Sequence, residues 1–491
     1  MSERPPKLIL TVIDGCKPEM LERAISSGRA PALAAIMERG TYVDDCVAAF
    51  PSVTPACAAS IATGVGVDEH LIPSMNWYHR EESRYVEYGS SFSASRQFGF
   101  VRSLTDTIYN MNLAHLSTDV RTVFEHLDDA GVRTAGTTYL MYRGRHRHEV
   151  SGESALARLA TSTLFRHAVY GPKELFYADI FASRKTGCRG QLGLPGARDQ
   201  HSGCVGAYMI ENDLFDFMLF SLPDNDTFSH KRGPHAQVTS IAEADRQLER
   251  LMHAAGGPDA FFAEYAMIVL ADHAHALVEA LVPITTAFEG LNVLTPAPSR
   301  VDPGEPEIAV CPSQRSAQLY ILDEGRRDEL VPELVARSLD IEGVDVVMHS
   351  DENGGVFSSS RGELRFSPGG DVRDERGDEW SVEGDLAALE ARIDDGTLHS
   401  PEYPDALRRA WAALTCSRTG DVLISAGPGY EFIDWGGQGH IGAGSHGSLH
   451  HSDSLGPLLW CGRGPSRRDA QPVWTLRDVV PMVCAHFGLE D

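Results

Sequence analysis

The sequence predicts an α/β fold with a doubly wound, mostly parallel central sheet that is flanked by helices. Three short apolar runs, residues 7–13, 217–222 and 266–271, have the length and composition of buried strands. Each run leads into a turn or loop that carries an aspartate, and helices are predicted at residues 18–27 and 241–255. Strands that alternate with helices are typical of a doubly wound sheet, which binds ligands at the carboxyl ends of its strands.

The length of 491 residues is too great for one small hydrophobic core. We therefore expect three segments. Residues 1–295 form the first part of a catalytic core, residues 296–435 form an inserted, smaller α+β lobe that shapes the substrate pocket, and residues 436–491 return to the core with the last metal ligand. The inserted lobe is predicted because strand-like pieces there alternate with a helix at 326–338 and a polar stretch at 367–384.

The formal net charge of −26 makes a nucleic-acid polymer an unfavourable partner, because such a surface repels phosphate chains. The nine cysteines include no C-x-x-C pair, which argues against a disulfide framework or a structural zinc ribbon. No apolar segment is long enough to span a membrane, and no apolar signal region precedes the first strand. These features predict a cytoplasmic protein without a membrane span, and they leave the oligomeric state open.

Candidate ligands follow the three predicted strands. Asp14 comes directly after the first strand, the loop after the second holds Asp226 and His230 four residues apart, and Asp272 and His273 end the third. Any one of these residues alone would usually be a turn or capping residue. Because the tips of parallel strands lie side by side, we expect the three carboxylates to converge.

A threonine occupies a further strand-to-helix junction. A strand at residues 42–50 leads into PSVTP and then into a helical run of small residues. At such a junction the free backbone N–H groups and the helix dipole attract an anion, and Thr54 would lie there. Thr54 is otherwise an ordinary capping residue, and it becomes a nucleophile only if a metal ion lowers the pKa of its hydroxyl. Ser52 is the alternative nucleophile in the same segment.

A glycine-rich segment near the end of the chain, residues 436–451, supplies further imidazoles. Part of it formally matches G-x-G-x-x-G, but no βαβ unit surrounds it, so a dinucleotide site is not predicted. The glycines more plausibly let the backbone turn tightly so that a histidine near position 446 points inward. Mixed carboxylate and imidazole ligands suit Zn²⁺, with Mn²⁺ as the alternative. The negative charge of three aspartates and an incoming phosphate matches the positive charge of two divalent ions. Two such ions clamp the attacking and the leaving oxygen of an in-line displacement.

Taken in order, these motifs resemble those of the alkaline phosphatase superfamily, and most closely its type I phosphodiesterase/nucleotide pyrophosphatase branch. The matching residues are Asp14 in VIDG, Thr54 in PSVTP, His70 and Asn76 in H-x5-N, Asp226 and His230 in DTFSHKRGP, Asp272 and His273 in LADH, and His446 in GSHGS. The resemblance implies an alkaline phosphatase-like fold with two bound metal ions. It implies that Asp226, His230 and His446 hold one ion, and that Asp14, Thr54, Asp272 and His273 hold the other. It also implies that Asn76 hydrogen-bonds a phosphate oxygen, and it assigns no ligand role to His70, His275, His440, His450 or His451.

The expected activity is metal-dependent hydrolysis of phosphodiester or pyrophosphate bonds in a small phosphorylated molecule, through a phosphorylated Thr54. A phosphomonoesterase or a phosphonoacetate-type hydrolase of the same superfamily is the alternative, and a non-catalytic binding protein is a third reading. Two departures from the family pattern are Ala274, where glycine is common, and Pro55, which removes a backbone donor beside Thr54. The predicted lobe does not resemble nucleotide-recognising parts of the family, so the substrate stays open.

Overall fold

The computed structural model describes residues 5–150, 167–178, 180–190, 193–296, 305–462 and 471–489. Residues 297–304, at the start of the predicted lobe, and residues 463–470, in the predicted return to the core, lie outside the described residues. Among the residues described, the central sheet has eight strands. They are β1 (Lys7–Ile13), β2 (Gly40–Val47), β3 (Thr134–Gly136), β4 (Glu174–Tyr177), β5 (Phe181–Ala182), β6 (Phe217–Leu222), β7 (Tyr265–Leu270) and β8 (Leu455–Cys461).

The strand order of this sheet is β2-β8-β7-β1-β6-β3-β4-β5. Five consecutive strands, from β7 to β4, run parallel, whereas β8, β2 and β5 join their neighbours in antiparallel pairs. In the middle of the sheet Leu10 lies opposite Leu219 of β6 and Ile268 of β7. The prediction of an α/β fold around a large, mostly parallel sheet is therefore confirmed.

Apolar side chains of the central strands alternate between the two faces of the sheet. In β1, Leu8 and Leu10 belong to one buried cluster, while Ile9 and Ile13 belong to a second cluster on the other side. Helices contribute to both clusters, as a doubly wound sheet requires. The first cluster includes helices Thr54–Thr63, Val123–Asp129 and Val479–His486; the second includes Pro18–Ser26, Pro31–Arg39, Arg198–Glu211, Val238–Ala254 and Pro258–Glu264.

A second sheet is built from residues 308–426. Its nine strands are Ile308–Ser313, Ser316–Ile321, Val344–Asp351, Gly354–Ser359, Gly362–Arg373, Glu379–Gly384, Arg392–Asp394, Thr397–His399 and Val422–Ala426, with helices Arg327–Leu339 and Ala406–Thr415 packed against them. Ala309, Cys311 and Tyr320 of this sheet share one apolar cluster with Leu8 and Leu10 of β1. The second sheet is thus packed directly on the core, and the lobe boundaries at 296 and 435 stay predictions.

Smaller elements connect these layers. A three-stranded sheet joins Ala276–Val282, Gly429–Phe432 and Gly444–Ser445, which brings the segment after β7 next to the glycine-rich segment near the end of the chain. The remaining small strands are Asn76–His79 with Arg84–Glu87 and His146–His148 with Val169–Gly171. The remaining α-helices and the π-helix are Val67–His70, Phe92–Phe98, Phe100–Thr105, Asp106–His115 (π), Asp224–Arg232 and His451–Ser454.

One local prediction was wrong. Asp226 and His230 lie in an α-helix, Asp224–Arg232, and not in a loop. That helix has acidic residues in its first turn and basic residues in its last, which complements the helix dipole. The polar stretch at 367–384 belongs largely to the paired strands Gly362–Arg373 and Glu379–Gly384, whose Trp380 is buried. In that hairpin, cross-strand pairing decides the structure more than the glycine and aspartate content does.

One disulfide joins Cys188 to Cys204, and the sequence analysis did not anticipate it. It ties the segment before helix Arg198–Glu211 to that helix, and the other seven cysteines are buried. Within the described residues, no helix combines the length and apolar character needed to cross a bilayer.

Candidate metal centre

The three strand-tip aspartates meet because β7, β1 and β6 are neighbours in the sheet. Asp14 directly follows β1, Asp272 lies just beyond β7, and Asp226 lies in the helix that follows β6. The backbone N–H of Gly15 donates to Asp272 Oδ1 at 3.0 Å, which fixes two of these strand tips together. The sheet order therefore produces the convergence that the sequence predicted.

Burial and mutual repulsion of these carboxylates shift their protonation. Burial, followed by repulsion from Asp272 and Asp226, raises the pKa of Asp14 well above its usual range. Burial also raises the pKa of Asp272. Burial alone would raise the pKa of Asp226, but the imidazoles of His230 and His275 hold it well below its usual range. One buried and two largely buried carboxylates in one place need positive charge, and divalent cations supply it.

The first group of potential ligands surrounds the Asp226 carboxylate. Its Oδ1 lies 2.9 Å from His275 Nε2, 3.2 Å from His230 Nε2 and 3.5 Å from His446 Nε2. These four residues lie close enough together to hold one metal ion. The sequence analysis named three of them and assigned no role to His275. The sequence did contain a signal for His275. It lies two residues after His273, and in an extended segment side chains two residues apart point to the same side.

The second group surrounds His273 at the tip of β7. Its Nε2 lies 3.7 Å from Asp14 Oδ1, 3.5 Å from Asp272 Oδ2 and 3.2 Å from Thr54 Oγ1. Asp14, Asp226 and His273 also lie within reach of one common ion, so Asp226 stands between the two groups. The structure thus brings together all seven residues that the sequence analysis proposed as metal ligands.

Thr54 begins the helix Thr54–Thr63, and its hydroxyl faces His273. Ser52, the alternative nucleophile, is fully buried. Its hydroxyl donates to the carbonyl of Ser448 and accepts from the N–H of Gly447. Of the two hydroxyls, only that of Thr54 is directed at the carboxylate and imidazole cluster.

Three histidines carry the backbone hydrogen bonds that orient metal-ligating imidazoles. Nδ1 donates to a backbone carbonyl in each of them: His230 to Gly444 at 2.8 Å, His446 to Ser52 at 2.8 Å, and His273 to Ala274 at 3.0 Å. These bonds assign the ring proton to Nδ1 and leave the Nε2 lone pair free to bind an ion. Asp14 Oδ1 is also buried, and no residue that the structure describes hydrogen-bonds it. The donor set therefore fits one or more divalent cations.

Asn76 lies in the small strand Asn76–His79 and is almost completely buried. Its side-chain Nδ2 donates to the carbonyl of Val86 at 3.0 Å, and its Oδ1 has no partner among the described residues. Its backbone N–H donates to Ser313. These bonds tie Asn76 to its hairpin and to the second sheet, and its contact with a phosphate oxygen stays a prediction.

Other histidines have structural partners. His70 is buried, accepts from the N–H of Ile72 and lies 3.2 Å from Ser60 Oγ. His440 packs its ring 4.3 Å from that of His230, and its Nδ1 lies 2.6 Å from the buried carboxylate of Glu431. These contacts support the fold around the cluster.

Glu402, His450 and His451 lie close enough to hold an ion at a separate place. The N–H of Ser452, however, donates to His450 Nδ1 at 3.2 Å, which assigns the ring proton to Nε2. That Nε2–H donates to Glu402 at 3.1 Å, so this nitrogen has no lone pair for a metal.

The charges of the basic run at residues 143–148 are paired within the protein, since Arg143 and Arg145 both form ion pairs with Glu125.

The chain is similar to one known protein family and to several solved structures. Residues 8–449 match the family described as type I phosphodiesterase/nucleotide pyrophosphatase. The solved structure of murine ectonucleotide pyrophosphatase/phosphodiesterase 5 is similar, with a TM-score of 0.58, 12% identity, and coverage of 99% of this chain and 95% of that chain. Phosphonoacetate hydrolase from Sinorhizobium meliloti in complex with phosphonoacetate gives a TM-score of 0.55, 18% identity, and coverage of 99% and 96%.

An inactive threonine-to-alanine variant of the murine protein, in complex with AMP, gives a TM-score of 0.58, 11% identity, and coverage of 99% and 96%. At such identities the structural similarity shows the fold alone. No curated protein sequence matches this chain significantly.

Proposed function

The chain belongs to the type I phosphodiesterase/nucleotide pyrophosphatase family and is a hydrolase, and from that premise we propose that it cleaves phosphodiester or pyrophosphate bonds of a small molecule through a phosphorylated Thr54. The observation that carries the proposal is the position of the Thr54 hydroxyl, 3.2 Å from His273 Nε2 and beside three converging aspartates. Two divalent ions, Zn²⁺ in the first instance, would be held by the two groups described above. When bound, they would neutralise substrate charge and lower the pKa of the Thr54 hydroxyl.

The reaction that this arrangement supports proceeds in two steps. Thr54 Oγ attacks phosphorus and gives up its proton to solvent, while the bond from phosphorus to the leaving oxygen breaks and releases the alcohol or phosphate product. Water then attacks phosphorus, the bond to Thr54 Oγ breaks, the remaining phosphate product leaves, and a proton from water restores the Thr54 hydroxyl. Thr54 is suited to the attack because it begins a helix, where the dipole stabilises the negative charge of the bound phosphate. Asn76 is proposed to donate to a non-bridging phosphate oxygen.

A small phosphorylated substrate is favoured over a nucleic-acid polymer because the net charge of −26 repels phosphate chains. The murine structure with AMP is consistent with a nucleotide-sized ligand. Cleavage of a carbon–phosphorus bond is the second candidate, since the similar structures include phosphonoacetate hydrolase with phosphonoacetate. Monoester hydrolysis is the remaining alternative within the same chemistry.

Initial rates on three substrates test the proposal: bis-p-nitrophenyl phosphate, p-nitrophenyl phosphate and phosphonoacetate, each with Zn²⁺, Mn²⁺ or EDTA. Replacing Thr54→Ala should lower the diesterase rate by about 10³-fold or more, which corresponds to about 4 kcal/mol of barrier. Thr54→Ser keeps a hydroxyl at the same position and should retain much more activity. Ser52→Ala tests the alternative nucleophile and should leave a phosphorylated protein detectable by mass spectrometry.

A diesterase rate that is independent of metal, or that survives Thr54→Ala, would contradict the proposal. A faster reaction on the monoester or on phosphonoacetate would assign the alternative activity instead. We also propose a cytoplasmic location, which cell fractionation would test. The disulfide between Cys188 and Cys204 makes that test informative, because such bonds are rare in a reducing cytosol.

A further inference from the structure

The first group of potential ligands contains a third histidine, His275, in addition to the two that the family resemblance assigns to the ion. The His275 side chain is fully buried, and its ring centroid lies 4.7 Å from that of His230 and 5.0 Å from that of His446. Its Nε2 makes the shortest contact of any imidazole with the Asp226 carboxylate, 2.9 Å to Oδ1. The role of His275 must therefore be sought in its contact with Asp226.

Two glycines leave the space that the His275 ring occupies. A Cβ atom at Gly15 would lie 2.5 Å from His275 Nε2, and one at Gly444 would lie 2.8 Å from His275 Nδ1. Neither distance is tolerable for real atoms, so any larger residue at either position would displace the ring. Gly15 also has a positive φ of 65°, which independently favours glycine. The ring is held in a fitted slot between two backbone segments.

The hydrogen bonds of His275 differ from those of the three histidines described as ligands. His230, His273 and His446 each donate from Nδ1 to a backbone carbonyl. His275 Nδ1 is buried and has no hydrogen-bond partner among the described residues. A proton on that nitrogen would be a buried donor without an acceptor, which is costlier than an unpaired lone pair. The ring proton therefore lies on Nε2, where it can donate to Asp226 Oδ1.

We propose that His275 is a positioning residue that donates a hydrogen bond from Nε2 to Asp226 and fixes the carboxylate for metal binding, without itself being a ligand. An Nε2 that carries a proton has no lone pair to offer an ion. A carboxylate has about four acceptor sites, so Asp226 can accept this bond and still bind a cation. This inference rests on the proposed function, because it assumes that Asp226, His230 and His446 hold a divalent ion.

Zn²⁺ affinity, measured by competition with a chromophoric chelator, tests the proposal in two variants. His275→Leu fills the slot without a donor and should weaken binding at one site by about 10- to 100-fold. His275→Gln offers an amide N–H to Asp226 and should recover most of that loss. The matched control is His70→Leu, which removes another buried histidine outside the cluster and should leave Zn²⁺ affinity unchanged.

The spectrum of the Co²⁺-loaded protein separates a positioning residue from a ligand. If His275 only positions Asp226, the His275→Gln protein keeps the wild-type ligand set and the wild-type absorption bands. Changed bands in His275→Gln, equal losses of Zn²⁺ affinity in both variants, or unchanged affinity in His275→Leu would overturn the inference. If His275→Leu does not fold, the His275→Gln spectrum and affinity still decide. A wild-type protein that binds no divalent ion would instead refute the proposed function, and with it this inference.

Discussion

The buried ion pair between Arg315 and Asp453 holds the segment that carries His446. Both side chains are completely inaccessible to solvent, and Arg315 Nη1 lies 2.6 Å from Asp453 Oδ1. Asp453 also accepts from the N–H and the hydroxyl of Ser448, and the backbone N–H of Arg315 donates to the carbonyl of His446. Replacing Asp453→Asn should therefore disturb both stability and the position of a proposed metal ligand.

The size of the effect follows from the charge that Asp453→Asn would leave behind. Burial alone would raise the pKa of Asp453, but the Arg315 guanidinium holds it below its usual range, so the carboxylate is ionised in the folded protein. The variant leaves the Arg315 charge buried without a counter-charge, and it places an amide N–H opposite a donor. Breaking a buried pair in this way costs about 3–5 kcal/mol of the free energy of unfolding.

Urea unfolding followed by circular dichroism, with EDTA present for all proteins, measures this loss without a contribution from bound metal. The control is the double variant Arg315→Met with Asp453→Asn. It should lose less than the sum of the two single variants, because the second change removes the unpaired charge. A loss below about 1 kcal/mol in Asp453→Asn, or strict additivity in the double variant, would refute the reasoning.

Two further predictions concern pH and metal removal. Burial raises the pKa of Glu87 from 4.5 to about 7, so the folded state disfavours the ionised carboxylate. The contribution of Glu87 to stability should be fully present below about pH 4.5 and should be lost, by on the order of 3 kcal/mol, as the pH rises through 7; the Glu87→Gln variant should lack this component in urea titrations across that range. Removing metal with EDTA should lower the melting temperature, and Zn²⁺ at a hundredfold excess over its Kd should restore about 2.7 kcal/mol; calorimetry that detects no difference between the two states would argue against a metal centre.

Much of the candidate site could be predicted because its chemistry is local in sequence. The apolar runs that became β1, β6 and β7 end at Asp14, at the helix with Asp226, and at Asp272. Parallel neighbours present their tips together, so the strand pattern predicted convergence, and the adjacency of β7, β1 and β6 in the sheet produced it. The family resemblance, which the match over residues 8–449 confirms, implied ligand roles for Thr54 and His446, which the sequence pattern had offered only as candidates.

Where prediction failed, a neighbour distant in sequence decided the outcome. Asp226 was expected in a loop because its segment is polar, yet it lies in a helix where the N–H of Asp224 donates to the carboxylate of Asp199. Residues 367–384 were described only as a polar stretch, and the structure pairs them across a hairpin. The disulfide between Cys188 and Cys204 could not be inferred from spacing, because it depends on how the two segments approach each other.

The sequence by itself determined the α/β class, the strand-tip carboxylates and the residue types of a divalent-metal site, because hydrophobic periodicity and short motifs are properties of neighbouring residues. Only the tertiary structure showed which nitrogen of each ligand histidine faces a backbone carbonyl and which imidazoles contact Asp226. His275 and Asp226 are 49 residues apart in sequence. They meet because the strands that precede them, β7 and β6, are both neighbours of β1 in the sheet. Hydrogen bonds of this kind depend on the order of strands across the sheet, which no local pattern specifies.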